Sequence, residues 1–215
     1  MHALAESLTG VRCELAALDV ADTASLRAAL GGFIAGGAPD LVIANAGISA
    51  GLSAGSEDDR AVFRRIIDVN LLALVETLGA CVEPMKAAGR GTLVGIASVA
   101  GVRGVPGASA YSASKAAAIA SLESLRIELR GSGVDVVTIS PGFVRTPMTD
   151  VNRFSMPFLL EADDFACRAL DAIASRRRHA VIPWPMHMVA TLLRLLPPAL
   201  YDRLAASAPR KSRIK

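Results

Sequence analysis

Three side chains in the middle of the chain have the types and the spacing that carbonyl–alcohol redox chemistry needs. Tyr111 and Lys115 are four residues apart, so on a helix they share one face. Ser98 lies thirteen residues before Tyr111, after the apolar run 93–97, which is typical of a buried strand. A phenol can transfer a proton, a neighbouring ammonium lowers the pKa of that phenol, and a serine hydroxyl polarises a carbonyl oxygen. The Tyr–Lys spacing taken alone would favour an ordinary helix with an exposed Tyr and Lys, and Ser98 with the matches below favours the redox site instead.

The flanking sequence predicts an α/β fold that would position these groups. An alanine-rich run follows Lys115, as expected for a helix packed closely on a sheet. The fully apolar run 41–44 predicts a strand buried on both faces of a parallel sheet. We expect further strands at 13–18, 92–98, 134–139 and 180–182. We expect a long helix that begins at 56 and is ended by Pro84 and the turn at 89–91. We expect the other helices at 4–8, 22–30, 111 to about 131, 162 to about 178, 186–196 and 199–207.

Composition narrows the class of protein. A chain of 215 residues with 52% hydrophobic and 4% aromatic residues can form one α/β domain with an aliphatic core. The net charge is only +3, and the basic clusters lack interleaved aromatics, so we expect no nucleic acid partner. The three cysteines and three histidines show no metal-ligand spacing, so we expect reduced packing cysteines and no metal site. With no visible signal peptide or membrane-spanning run, we expect a cytoplasmic protein.

A tripeptide strengthens the redox interpretation. Asn45, Ala46 and Gly47 follow the predicted strand at 41–44, where small residues let a ligand approach the backbone. Together with Ser98 and the Tyr-x-x-x-Lys motif at 111–115, they make the chain similar to the short-chain dehydrogenase/reductase family. Members of this family are single-domain NAD(P)-dependent oxidoreductases, and the resemblance extends from about residue 15 to about residue 147.

The resemblance implies a fold and a set of catalytic roles. The fold would be a Rossmann-like doubly wound, mostly parallel sheet with helices on both faces. Tyr111 would be the general acid/base, and Lys115 would lower its pKa and hold the cofactor sugar. Ser98 would position the substrate oxygen, and Asn70 would help hold a water in the proton relay. A lone Asn in an apolar helical run also has a purely structural explanation, in which its amide bonds nearby backbone. Relatives that use the same Tyr and Lys for epimerisation or dehydration remain an alternative within the enzyme class.

The resemblance also implies where NADP or NAD would bind. Asp19 would lie beside the adenine ring, Asn45 with its two small neighbours near the cofactor ribose, and the Pro-Gly segment at 141–142 against the nicotinamide. Val144 and Thr146 would contact the carboxamide. The full set of expected cofactor-binding residues is Asp19, Val20, Asn45, Ala46, Gly47, Tyr111, Lys115, Pro141, Gly142, Val144 and Thr146.

One part of the family pattern is not found. The family has a glycine-rich turn, Thr-Gly, three residues and Gly-x-Gly, that receives the cofactor pyrophosphate at a helix N-terminus. No such turn precedes Asp19, so the choice between NAD and NADP is left open. We expect 1–215 to be a single, N-terminally truncated domain without the family's first two strands, in which 186–215 is a helical extension with a basic tail. A start codon placed downstream of the true one would explain this, and a naturally shortened protein is the alternative. A non-catalytic binding or assembly module is the competing function.

Three further expectations concern partners. The substrate should be a small carbonyl compound or secondary alcohol, and the apolar residues at 148–160 hint at an apolar one. The family commonly forms dimers through the helices that hold Asn70 and Tyr111, so we expect a homo-oligomer. Contact with an anionic membrane through 186–215 is a further option, and docking of the same stripe on the substrate pocket or a partner subunit is the preferred alternative. The apolar residues assigned to the oligomer are Leu72, Val75, Leu78, Leu122, Leu125 and Leu129, and those assigned to the stripe are Val189, Leu192, Leu193 and Leu196.

Overall fold

The computed structural model describes residues 8, 10–53, 56–208 and 211. The helix expected at 4–8 and most of the basic tail lie outside these residues. The strands are β1 (Leu41–Ala44), β2 (Gly91–Ile96), β3 (Val134–Pro141) and β4 (His179–Ile182). The helices are α1 (Thr23–Ile34), α2 (Asp59–Ile67), α3 (Ala73–Ala88), α4 (Ser109–Glu128), α5 (Pro147–Asp150), α6 (Ala162–Ala174), α7 (Trp184–Leu195) and α8 (Pro198–Ala205), with a π-helical turn at Asp68–Leu72 and a 3₁₀ turn at Val99–Gly101.

The four strands form one parallel sheet in the order β1-β2-β3-β4. Leu41 pairs with Thr92, Gly91 with Val134, and Thr138 with His179. Because every strand runs in the same direction, the carboxyl ends of β1, β2 and β3 meet at one edge of the sheet, where open α/β sheets bind ligands. This confirms the predicted fold class.

Two apolar cores cover the two faces of the sheet. Successive residues of a strand point to opposite faces, so Leu93 and Val94 belong to different cores although both are fully buried. The first core joins β1, β2 and β3 to α3 and α4, and the second joins β2, β3 and β4 to α6. Three leucines expected at an oligomer surface are part of the first core instead, because α3 and α4 use those faces to cover the sheet. They are Leu78, Leu122 and Leu129.

The expectation that β1 is buried on both faces is wrong. Val42 and Ala44 face the first core, but Leu41 and Ile43 are 41% and 42% exposed. Within the described residues β1 is an edge strand that pairs only with β2, and α3 covers one of its faces. An apolar run therefore identified the strand but not its neighbours.

The strand expected at 13–18 is also absent. These residues adopt no regular structure, and most of them, including Cys13, are exposed. A strand exists only where a neighbour satisfies its backbone groups, and no described residue pairs with this segment. All three cysteines were expected to be packing residues, but Cys167 is exposed as well, and only Cys81 is buried.

Helix ends follow local chemistry. The carboxylate of Asp22 caps α1 as expected, accepting the backbone N–H groups of Ala24 and Ser25. The expected long helix begins at Asp59 rather than at residue 56. It continues through the π-helical turn and past Pro84 to Gly89, whose φ of 65° ends it. Within the described part of the chain, no helix combines the length and the apolar character needed to cross a bilayer.

Candidate active site

Ser98 lies just beyond the carboxyl end of β2. Its backbone is extended, with φ −172°, and its Oγ accepts the backbone N–H of Ala100 at 3.1 Å, which caps the 3₁₀ turn. The residue before it, Ala97, donates its N–H to the carbonyl of Ile139 on β3 at 2.7 Å. Ser98 is therefore buried and held by the sheet on one side and by its own turn on the other.

Tyr111 is in the first turn of α4, which packs against the 3₁₀ turn that Ser98 caps. Burial raises the pKa of the Tyr111 phenol above its ordinary value, and the nearby Ser98 hydroxyl offsets part of that rise. The structure thus brings together the hydroxyl and the phenol that the sequence separates by thirteen positions.

Lys115 lies one turn after Tyr111 and is only 3% exposed. Its Nζ donates to the carbonyl of Ile96 at 2.7 Å and is 5.9 Å from the centre of the Tyr111 ring. Burial lowers the pKa of Lys115 from 10.5 to about 8, because the charged ammonium loses hydration. The Lys115 ammonium is therefore bound to the carbonyl of the last residue of β2 and lies close to the phenol. Among the described residues it forms no ion pair with a carboxylate.

Asn70 lies in the π-helical turn and is fully buried. Its Oδ1 accepts the N–H of Ile48 at 2.7 Å, and its Nδ2 donates to the carbonyl of Ile48 and to Ser114 Oγ, each at 3.0 Å. Ser114 Oγ in turn donates to the carbonyl of Tyr111 at 2.8 Å. Asn70 therefore connects the segment after β1 to the helix that holds Tyr111, and π-helical turns of this kind are frequent at functional sites.

The small residues after β1 lie beside this group. A Cβ added to Gly47 would be 3.5 Å from both Asn70 Oδ1 and Lys115 Nζ, so the backbone of Gly47 lies next to two of the expected catalytic residues. Asn45, Ala46 and Val20 line a cavity of about 240 Å³ between β1, α1 and α3. Four of the expected cofactor-binding residues, Val20, Asn45, Ala46 and Gly47, thus lie around the carboxyl end of β1.

Asp19 has a protein partner that the sequence did not reveal. Its carboxylate accepts two hydrogen bonds from the guanidinium of Arg65 on α2, at 2.8 and 2.7 Å, and one from the N–H of Ala21 at 3.0 Å. The bond from Ala21 and then the contact with Arg65 hold the pKa of Asp19 below its usual range. The ion pair is half-exposed, so it leaves one side of Asp19 open to solvent.

The segment after β3 is fixed by backbone contacts. Gly142, which follows Pro141, donates its N–H to the carbonyl of Ile182 at 2.8 Å, and a Cβ at Gly142 would be only 2.8 Å from Met186 Cγ. Val144 forms a parallel bridge with Leu160. Thr146 caps α5 in a reciprocal capping box with Thr149. The expected nicotinamide segment is therefore a rigid turn at the carboxyl end of the sheet.

Sequence reasoning missed a brace formed by the C-terminal helices. The guanidinium of Arg103, in the loop after Ser98, lies 4.3 Å from the centre of the Tyr201 ring and donates to the carbonyl of Leu196 at 3.0 Å. Tyr201 Oη donates to the carbonyl of Gly104 at 2.6 Å. Lys211 Nζ donates to the carbonyl of Met148 in α5 at 3.0 Å. No local pattern links positions this far apart, and a lone arginine in a glycine-rich loop was the one available signal.

No group of three His, Cys, Asp or Glu side chains within the described residues could hold a metal ion. The groups that the structure brings to the carboxyl end of the sheet are a phenol, a hydroxyl, an ammonium and a buried amide. These groups can polarise a carbonyl oxygen and move a proton to or from it.

Comparison with known proteins identifies the family. A family model described as short chain dehydrogenase matches residues 1–155. A Myxococcus xanthus protein named as an uncharacterized oxidoreductase is 40% identical over 169 residues, which are 79% of this chain and 66% of that protein. A 3-alpha-(or 20-beta)-hydroxysteroid dehydrogenase of Mycobacterium bovis is 40% identical over 136 residues, 62% of this chain and 51% of that protein. The chain thus spans about half to two thirds of the length of these curated relatives.

A solved structure supports the same assignment at the level of the fold. The apo form of LigD from Sphingobium sp. strain SYK-6 matches with a TM-score of 0.70 and 23% sequence identity, over 93% of this chain and 77% of that one. The family model covers well over half of the chain, and the parallel sheet with helices on both faces agrees with it. The protein belongs to the short chain dehydrogenase family.

Proposed function

We propose that this chain carries the catalytic part of an NAD(P)-dependent oxidoreductase that interconverts a carbonyl and a secondary alcohol. The observation that carries the proposal is the grouping of Ser98, Tyr111 and Lys115 at the carboxyl end of β2: the Ser98 turn packs against the helix of Tyr111, and the Lys115 ammonium is bound to the carbonyl of Ile96, 5.9 Å from the centre of the Tyr111 ring. Membership of the family and the oxidoreductase names of its relatives support it.

Each side chain has a distinct role in the proposal. The bound nicotinamide supplies or accepts the hydride. Tyr111 Oη gives a proton to the substrate oxygen in reduction and removes it in oxidation, and Ser98 Oγ donates a hydrogen bond to that oxygen. The Lys115 ammonium stabilises negative charge on the phenolate, which would lower the pKa of Tyr111 from its raised value. Asn70 positions Tyr111 through Ser114 and supports proton exchange with solvent.

The residues present fit the two ends of a dinucleotide. The cavity lined by Val20, Asn45 and Ala46 would take the adenosine end, with Asp19 at its side. Gly47 provides the close backbone approach beside Lys115 that a ribose needs. The rigid turn that contains Pro141, Gly142, Val144 and Thr146 would hold the nicotinamide. The described residues contain no glycine-rich turn for the pyrophosphate, and the choice between NAD and NADP stays open.

The substrate proposed is an apolar carbonyl compound or alcohol. Phe143, within the rigid turn, and Phe154 form an edge-to-face pair with ring centres 6.3 Å apart, and both are half-buried, so the segment that follows β3 is rich in aromatic side chains. A relative that is 40% identical is named as a hydroxysteroid dehydrogenase, which is consistent with such a substrate.

Turnover by a Tyr111→Phe variant tests the proposal. The variant lacks only the phenolic oxygen of Tyr111. In the full-length protein that the gene encodes, it should no longer oxidise NAD(P)H with any of a panel of apolar ketones. It should still bind the cofactor, as measured by fluorescence. Unchanged turnover would contradict the assignment of Tyr111. Product formation without net NAD(P)H consumption would identify the epimerase or dehydratase alternative instead.

A second test addresses the non-catalytic alternative, which rests on the missing glycine-rich turn. The coding DNA upstream of Met1, read in frame, should encode a Thr-Gly-rich segment. Its absence, together with no turnover by the unmodified chain, would favour a binding or assembly module.

We also propose a homo-oligomer. Leu72 and Val75 remain exposed at the junction of the π-helical turn and α3, so part of the expected contact surface is available. Sedimentation of the protein at micromolar concentration should give a dimer or larger species, and a monomer would count against this proposal.

A further inference from the structure

Helix α7 exposes one apolar face along its whole length. Trp184, Met188, Leu192 and Leu195 are spaced by four, four and three residues and are between 61% and 76% exposed. This spacing places all four on one side of the helix. The opposite side holds Met186 and Ala190, both buried, so α7 has already used a different face to pack on the domain. The apolar stripe predicted from the sequence is only partly exposed. Leu192 belongs to the exposed face, whereas Leu193 and Leu196 are half-buried.

Helix α8 also exposes apolar side chains. Leu200 and Leu204 lie one turn apart and are both exposed. Arg194 and Arg203, also exposed, are near the ends of the two helices. Large apolar patches edged by polar residues are uncommon on monomeric proteins and mark interaction sites. We call the six apolar residues the α7–α8 surface: Trp184, Met188, Leu192, Leu195, Leu200 and Leu204.

The charge of this part of the chain indicates what would cover the surface. From residue 184 onward the sequence has six basic residues and one acidic residue, Asp202. The whole chain has 23 basic and 20 acidic residues, so the remainder has a small excess of acidic ones. Positive charge is therefore concentrated in the part of the sequence that contains α7, α8 and the residues after them. Two copies of this basic segment would repel each other, whereas an anionic layer would attract it.

We propose that the α7–α8 surface docks on an anionic lipid membrane, with the two helices lying in the interfacial plane. Helices bound in this way combine Trp and Leu on one face with Lys and Arg around it, and their binding depends on both apolar area and anionic lipid. Trp184, the only tryptophan of the chain, is 73% exposed at the start of α7, and indole rings prefer the headgroup level of a bilayer.

The surface is connected to the candidate active site. Helix α7 packs against β4 and the 3₁₀ turn that follows Ser98. Arg103, between Ser98 and Tyr111, contacts Tyr201 of α8 and the carbonyl of Leu196. Docking would therefore hold the loop of the active site close to the lipid, where apolar carbonyl compounds collect. This last consequence rests on the proposed function, whereas the docking itself does not.

Vesicle flotation tests the proposal. The chain should float with vesicles of phosphatidylcholine and phosphatidylglycerol at low salt, and less with phosphatidylcholine alone or at high salt. Leu192→Asp and Leu195→Asp should each reduce the bound fraction at least tenfold. Both positions are already solvated, so thermal melts of the variants should match the unmodified protein. Ile127→Asp, at a 63% exposed position of α4, is the matched control and should float normally.

Three results would overturn the proposal. The first is no flotation at low salt. The second is equal flotation of Leu192→Asp and the unmodified chain. The third is a lipid-free dimer that Leu192→Asp dissociates in sedimentation, which would assign the α7–α8 surface to a second copy of the chain.

Discussion

The backbone of Gly101 lies directly against the backbone of Lys115. A Cβ added at Gly101 would be 2.7 Å from the carbonyl carbon of Lys115 and 2.8 Å from the backbone nitrogen of Ala116. Neither atom can move away by a change of rotamer, since both belong to the main chain of α4. The 3₁₀ turn capped by Ser98 can approach the helix of Tyr111 this closely only because residue 101 has no side chain.

Gly101→Ala should therefore move Ser98 relative to Tyr111. We expect turnover to fall by roughly tenfold to a hundredfold, because misplacing a positioned group by about 1 Å costs that much, and we expect a stability loss of about 1–3 kcal/mol from overpacking. Gly104→Ala is the matched control in the same loop, since a Cβ there meets no atom within 4 Å. Kinetic assays and urea denaturation of both variants check the prediction. Equal effects at the two positions would show that the contact at Gly101 does not position the site.

The buried ammonium of Lys115 predicts a pH dependence of stability. Its pKa is about 8 in the folded protein, whereas the ordinary value for a solvated lysine is 10.5, so between these values the unfolded chain binds more protons. Stability relative to Lys115→Met should therefore be constant below about pH 8, where both states are protonated, and should rise between pH 8 and 10.5 by a total of about 3 kcal/mol. Urea denaturation at several pH values measures the difference. Lys86→Met, at an exposed position of α3, is the control for loss of a lysine. A difference that falls with pH would contradict the burial of a charged Lys115.

Loss of the Asn70 amide should uncouple the segment after β1 from α4. Asn70→Ala removes three hydrogen bonds of a fully buried side chain, so we expect a stability loss of about 2–4 kcal/mol. Ser114→Ala removes one of those bonds and the bond from Ser114 Oγ to the carbonyl of Tyr111, and should cost about 1–2 kcal/mol. Hydrogen exchange at the Ile48 amide separates the two variants, because only Asn70→Ala removes its acceptor. Equal protection of Ile48 in both would show that Asn70 is not the connection.

Local patterns were sufficient where neighbours in sequence are also neighbours in space. The spacing of Tyr111 and Lys115 predicted that both lie on one face of a helix. The Asp22 cap predicted the start of α1, and the apolar run at 93–97 predicted strand β2. They were insufficient where burial depends on distant parts of the chain. The run 41–44 could not reveal that β1 is an edge strand, and Leu78 and Leu122 could not be distinguished from surface leucines. The pairs Arg65–Asp19 and Arg103–Tyr201 join residues 46 and 98 positions apart, for which a single sequence has no signal. The catalytic roles assigned to the site stay predictions.

The contact between Arg103 and Tyr201 predicts how α8 is held. Tyr201→Phe keeps the ring over the guanidinium but loses the bond to the carbonyl of Gly104, about 1 kcal/mol, and Arg103→Met loses the cation–π contact and the bond to Leu196, about 1–2 kcal/mol. Both variants should increase hydrogen exchange in α8 while leaving β2 and β3 unchanged. Arg64→Met, at an exposed position of α2, is the matched control. Exchange in α8 equal to that of the control would show that the brace contributes nothing.

The last prediction is that the 215-residue chain binds NADH and NADPH only weakly. The N-terminus of α1, the helix nearest to Asp19 in the chain, is already occupied by an anion: the Asp22 carboxylate accepts the N–H groups of Ala24 and Ser25 at 3.2 Å. A pyrophosphate at this position would meet a carboxylate instead of free N–H donors, and the described residues offer it no glycine-rich turn. Losing several charge-assisted hydrogen bonds of about 1.5–3 kcal/mol each weakens affinity by several orders of magnitude, although the cavity beside Asn45 can still take an adenosine. Calorimetry should show binding weaker than micromolar and no competition by inorganic pyrophosphate. Micromolar binding of either dinucleotide would show that another part of the chain holds the phosphates.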